Sequence, residues 1–155
     1  MNGLIVYYSR TGNTKFIAEI LAKELNFDLE EIIDTKKRKG IIGWLRAGYD
    51  ATREKLTVIK ELQKNPELYD LIIIGTPIWN KRMSSAIRTY INEKKANFKN
   101  IAFFCTEGGS GGPETFENMA GLCGKNPLST LEIIKKEIKK DKYLEKVKTF
   151  IQKLS

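Results

Sequence analysis

A chain of 155 residues, 41% hydrophobic and 30% charged, can bury one substantial core but not two ordinary ones, so a single domain over residues 1–155 is expected. No apolar run nears the roughly 18–20 residues that span a bilayer, and residues 1–30 lack a signal-peptide pattern, so a cytoplasmic location without a membrane partner is expected. The absence of histidine excludes a Ser-His or Cys-His catalytic unit, the two cysteines, Cys105 and Cys123, are too few for a disulfide framework and show no metal-ligand spacing, and the net charge of +8 comes without any nucleic-acid-binding signature.

In chain order, Leu4-Ile5-Val6-Tyr7-Tyr8 is β-branched, aromatic and short, which predicts a buried strand. Phe16, Ile17, Ile20, Leu21 and Leu25 then recur at helical spacing, with Lys15, Glu19, Lys23 and Glu24 on the opposite face. Between them lies Ser9-Arg10-Thr11-Gly12-Asn13-Thr14, a strand-to-helix turn with three hydroxyls and a glycine. A single Ser, Thr or Asn would suffice to cap the helix. The surplus points to an anion held where helix N–H groups lack partners and the macrodipole is positive. Neither Gly-x-Gly-x-x-Gly nor a Walker-type Lys-Ser/Thr is present.

Phe27 to Ile33 predicts a second strand, towards one edge. From Asp34 to Lys64 the pattern is weaker. Ile41, Ile42, Trp44, Leu45, Gly48, Tyr49 and Thr52 predict a short helix whose Trp44 and Tyr49 pack in the core, and Asn65-Pro66 predicts a single capped turn. Tyr69 to Gly75 is nearly continuous in apolar residues, as in a strand covered on both faces. It leads into a loop, Thr76-Pro77-Ile78-Trp79-Asn80-Lys81-Arg82-Met83, and a helix from about Ser84 to Glu93. Asn100 to Cys105 repeats the strand pattern before the glycine-rich loop Thr106-Glu107-Gly108-Gly109-Ser110-Gly111-Gly112-Pro113 and another helix. A last strand near Leu128 to Ile133 precedes a terminal helix striped by Tyr143, Leu144, Val147, Phe150, Ile151 and Leu154.

Five alternations of strand and helix predict an α/β doubly wound parallel sheet with helices on both faces. In such sheets ligands sit beyond the strand C-termini at the switch point, where the loops after the first, third and fourth strands converge. Two rivals on this architecture fail. Asp70 stands at the wrong end of its strand for a phosphate-accepting aspartate, and Gly111, not Arg, follows Cys105 by six positions, unlike a Cys-based phosphatase.

The segment Ser9 to Thr14 resembles the Ser/Thr-x-Thr-Gly-Asn-Thr phosphate loop of flavodoxins, and the likeness extends over nearly the whole chain. The resemblance implies a flavodoxin-like sheet of five strands in the order 2-1-3-4-5 and non-covalently bound FMN. It places Ser9, Arg10, Thr11, Gly12, Asn13 and Thr14 around the phosphate. Thr76, Pro77, Ile78, Trp79 and Asn80, with Thr106, Glu107, Gly108 and Gly109, then line the isoalloxazine, Trp79 stacking on or beside it. It also implies electron transfer between redox partner proteins, here with acidic docking faces to suit a basic chain. Three features depart from the pattern: the basic charge, a third loop without a stacking Tyr, and a second loop without the usual Gly. They leave open an NAD(P)H-dependent quinone or flavin reductase and, more remotely, a non-redox module for another phosphorylated ligand.

Overall fold

The computed structural model describes residues 1–155. Its strands are β1 (Gly3–Tyr7), β2 (Asp28–Glu31), β3 (Leu71–Trp79), β4 (Arg82–Met83), β5 (Asn100–Glu107) and β6 (Thr130–Ile134). Its helices are α1 (Asn13–Leu25), α2 (Gly40–Thr52), α3 (Ser85–Lys94), α4 (Gly112–Cys123), α5 (Lys135–Lys139) and α6 (Tyr143–Gln152). The sheet runs β2-β1-β3-β5-β6, every neighbouring pair parallel, and β4 pairs antiparallel with the end of β3. With β4 set aside, this is the expected 2-1-3-4-5 order of a doubly wound α/β sheet.

Strand alternation sends apolar side chains to both faces, and each face carries its own core. On one side Leu4, Ile72, Ile74 and Phe103 meet Ala47 and Ala51 of α2, Ile87 and Tyr90 of α3, and Met119 of α4. On the other, Ile5, Ile73 and Phe104 meet Ile17 and Leu21 of α1 and Val147 and Phe150 of α6. Each fully buried Ile, Leu or Phe contributes about 1.5–3 kcal/mol of transfer free energy, so the three central strands β1, β3 and β5 hold both helical layers. Asn65 caps the single 3-10 turn Pro66–Leu68 by accepting from the Glu67 N–H at 3.1 Å. Cys105 and Cys123 are buried and unbonded.

Three expectations are corrected. Trp44 and Tyr49 are not core residues: they are 57% and 52% exposed, because α2 packs through Gly43, Ala47, Asp50 and Ala51 instead. The segment after Gly75 is not an open loop. β3 continues to Trp79 and turns back through Asn80 and Lys81, both at positive φ (50° and 60°), into β4. Such a two-residue turn matches the right-handed twist of its strands. The terminal helix α6 begins at Tyr143 as its stripe predicts, after a separate short α5 and a turn at Asp141 with positive φ, but Leu144 of the expected stripe faces solvent.

Candidate functional site

The turn between β1 and α1 is shaped by Gly12 and Ser9. Gly12 has φ 101° and no atom within 4 Å of where a Cβ would stand, so its backbone lies open. Ser9 Oγ accepts from the N–H groups of Gly12 at 3.1 Å and Lys15 at 3.2 Å, holding the turn in shape. The amides of Arg10, Thr11, Asn13 and Thr14 find no acceptor in the protein. Four unpaired donors beside the positive end of a 13-residue helix form a concavity suited to a dianionic phosphate. Inside it, the buried hydroxyls of Thr14 and Thr106 stand 2.7 Å apart. One donates to the other, which leaves the second proton for a further acceptor.

The turn forms one wall of a cavity of about 240 Å³. Arg10, Thr11, Asn13 and Thr14 line it from the turn, and Pro77, Ile78 and Trp79 from the end of β3. Thr106, Glu107 and Gly108 line it from β5. Trp44 of α2 and Lys135 of α5 complete it. Trp44, Ile78 and Trp79 also border a neighbouring cavity of about 190 Å³ that reaches Gly48 and Asn80, so a trough runs from the helix terminus past two indoles. A wider hollow of about 610 Å³ opens against β6 between α4 and α6, and none of the expected site residues lines it.

The expected site residues therefore divide. Ten line the first cavity, and Asn80 lines its neighbour. Ser9 and Gly12 shape the turn from outside. Thr76 is turned inward: its Oγ1 accepts from Ser84 N–H at 3.0 Å and donates to Pro77 O at 2.8 Å, which fixes the hairpin. Gly109 follows the lining residues, with open space where its Cβ would stand. The amides of Gly108, Gly109, Ser110 and Gly111 likewise have no protein acceptor. Trp44 and Lys135 were not foreseen. Lys135 belongs to no motif, and Trp44 carried a signal only in the excess of apolar residues over what a short helix can bury.

Trp79 is held on several sides. The Tyr8 ring meets it edge-on with centroids 5.6 Å apart, and the Arg38 guanidinium lies 5.6 Å from its centroid. Arg38 is itself fixed, its Nε donating to Asp34 Oδ2 at 2.7 Å and its Nη1 to Asp50 Oδ2 at 3.0 Å. Asn80 Nδ2 donates to Gly48 O at 3.1 Å and Thr52 Oγ1 at 3.0 Å, fastening the hairpin to α2. Behind the turn, a hollow of about 560 Å³ is lined by Ser9, Arg10 and the run Lys36 to Lys39, which raises the positive potential around any anion bound there.

Glu107 is the unusual ionisable group. Only 6% exposed, it has its pKa pushed up to about 8 by burial and then by Glu132, through a shared hydrogen bond and like-charge repulsion. Glu132 lies close against Gly112 in the first turn of α4, where the helix favours its negative charge. Near neutrality the Glu107–Glu132 pair therefore favours retaining one proton at the cavity wall.

A doubly wound sheet with an anion-binding turn and an aromatic-walled trough at its switch point defines a nucleotide-binding α/β protein. A family model described as Flavodoxin matches residues 2–150, and the chain belongs to that family. Its fold is similar to that of a flavoprotein in complex with FMN from Lactobacillus acidophilus NCFM, at 23% identity over 92% of this chain and 97% of that one, with a TM-score of 0.74. It is also similar to a flavodoxin from the domain Archaea, at 20% identity over 100% of both chains with a TM-score of 0.56. To the two-electron reduced flavodoxin of Megasphaera elsdenii the identity is 16%, over 84% and 85%, with a TM-score of 0.56. No curated protein matches the chain. The residues present fit the family's flavin mononucleotide: the unpaired amides and hydroxyls suit its phosphate, and the indole-walled trough suits a planar ring.

Proposed function

We propose that this chain is a cytoplasmic, single-domain electron-transfer protein that binds FMN in the trough and passes electrons between redox partners. The observation that carries this reading is the convergence, in one cavity, of unpaired phosphate-loop amides, the two indoles and the end of β5. The amides of Thr11, Asn13 and Thr14 hold the phosphate, with the spare hydroxyl proton of the Thr14–Thr106 pair. Trp44 and Trp79 flank the ring and exclude water from it, and the open amides of Gly108 and Gly109 donate to its acceptor-rich edge. When bound, FMN supplies one- and two-electron redox chemistry. Lys135, in the cavity wall, continues into Lys136, Lys139, Lys140 and Lys142, a basic approach for partners with acidic faces.

One observation favours a second reading, an NAD(P)H-dependent quinone or flavin reductase. Glu107 lines the cavity, and the proton that it and Glu132 tend to share is a source of the kind two-electron reduction of a quinone consumes. Reconstitution with FMN, then anaerobic NADPH addition with and without a quinone, tests both. The carrier reading expects a flavin spectrum that dithionite bleaches and NADPH alone does not. Rapid bleaching by NADPH with turnover of quinone supports the reductase, and failure to retain any flavin removes both.

A further inference from the structure

Helix α2 is built inside out. Its buried face consists of Gly43, Ala47, Asp50 and Ala51, and the Arg38 backbone approaches Gly43 so closely that a Cβ there would lie 2.3 Å from the Arg38 carbonyl carbon. With small residues against the protein, the large apolar ones point outward. Ile41 is 80% exposed and Ile42 77%, and Trp44, Leu45 and Tyr49 are each more than half exposed on the same short helix. A helix of this length, roughly 20 Å, ordinarily hides such a face, and contiguous exposed apolar surface marks a contact site.

Its surroundings are basic. Residues 34 to 60 carry eight cations against three carboxylates, a net of five of the chain's +8. All three carboxylates are engaged: Asp34 by Arg38, Asp50 by Arg38 and Lys36, and Glu54 by Arg82 and Arg88. Lys37, Lys39, Arg46, Arg53 and Lys55 are left exposed and without an acidic partner. Lys55 Nζ lies 4.9 Å from the Tyr49 ring centroid and the Arg53 guanidinium 5.4 Å, so cations border the apolar stripe directly.

We propose that the outer face of α2 binds the surface of an anionic lipid bilayer, with Ile41, Ile42 and Leu45 entering the acyl boundary and the lysines and arginines among the headgroups. Ile, Leu and Trp on one side with Lys and Arg flanking them is the composition of helices that lie in a membrane interface, and Trp and Tyr prefer headgroup depth. A protein partner fits less well, because protein interfaces are depleted in lysine, whereas three of the five unpaired cations here are lysines and the most exposed side chains between them, Ile41 and Ile42, are pure hydrocarbon. A second copy would set two faces of like charge against each other. No helix here is long and apolar enough to cross a membrane, and a peripheral contact needs none. Trp44 belongs both to this face and to the flavin cavity wall, so the contact would bring the trough to the lipid surface. The inference does not depend on the flavin.

The test is co-sedimentation of the FMN-loaded full chain with vesicles of phosphatidylcholine alone or mixed with equal phosphatidylglycerol, at physiological salt. Binding to the anionic vesicles only is expected. Ile41→Ser with Ile42→Ser, both at exposed positions, should weaken it at least tenfold, as should Arg46→Gln with Lys55→Gln, which lie away from the phosphate turn. Circular dichroism and FMN affinity, followed in parallel, should not change, which separates failure of this contact from failure of the flavin reading. No binding to anionic vesicles by the correctly folded chain would overturn the proposal, as would binding indifferent to the isoleucine changes. A dimer that dissociates on the isoleucine changes would assign the face to a second copy instead. Saturable binding to an acidic redox protein, lost in the same variants and without vesicle binding, would assign it to a protein partner.

Discussion

Replacing Glu107 by Gln isolates the proton that the cavity wall holds. An acid whose folded pKa lies above its unfolded value stabilises the fold while protonated, and that contribution is lost as pH rises from the unfolded value to the folded one. For Glu107 the window runs from the ordinary carboxylate value of 4.5 to about 8. Each pH unit inside it removes about 1.4 kcal/mol, so the two units from pH 6 to pH 8 remove up to roughly 3 kcal/mol from the native protein. Gln has the same shape and cannot ionise. The variant should therefore match the native protein within about 0.5 kcal/mol at pH 6, where both side chains are neutral, and exceed it by up to roughly 3 kcal/mol at pH 8–9. Urea unfolding of both proteins at half-unit intervals, with the same denaturant slope, gives the difference directly. A constant difference across the range, or a variant that becomes the less stable one at high pH, would refute the assignment of a protonated carboxyl to Glu107.

Thr14→Ala removes one hydroxyl of the buried pair and should weaken FMN by about 1–2 kcal/mol, and riboflavin much less, because the lost hydrogen bond goes to a charged group; calorimetry with both flavins checks it. Trp44 and Trp79 both line the trough, so FMN should quench both, and Trp44→Phe and Trp79→Phe should each retain part of the fluorescence quenching. Complete loss in either single variant would leave only that indole beside the ring. Asp50→Asn takes a partner from the buried Arg38 guanidinium and should cost about 3 kcal/mol, measured by urea unfolding. A loss below about 0.5 kcal/mol would show that Asp34 alone satisfies Arg38.

The sheet was legible because its strands are continuous apolar runs and its connections punctuated, and the turn after β1 stood out because its hydroxyls exceed what capping requires. Other features were hidden for identifiable reasons. The two-residue hairpin after Trp79 lacks the Asn-Gly that usually announces one. Lys81 takes positive φ without glycine's freedom, in a turn fastened to α2 by the Asn80 side chain. Helix α2 was misread because apolar periodicity normally marks the buried face, whereas here Gly43, Ala47 and Ala51 allow close backbone approach and leave Trp44 and Tyr49 outside. Lys135 reaches the cavity because the β6 connection ends there, a consequence of topology that no local pattern records. Glu107 was expected in the site from the family resemblance, but nothing in the sequence marks it as buried beside a second carboxylate. Its burial depends on β6 bringing Glu132 beside it, a pairing of strands more than twenty residues apart.

The central claim is that the turn from Ser9 to Thr14 holds the phosphate of a flavin nucleotide. Isothermal titration of the flavin-free protein with FMN and with riboflavin tests it most directly, since the two ligands differ only in that phosphate. FMN should bind at least tenfold more tightly, with the advantage shrinking as salt rises, because several hydrogen bonds to a charged group are lost with the phosphate. Equal affinities for the two flavins would contradict it.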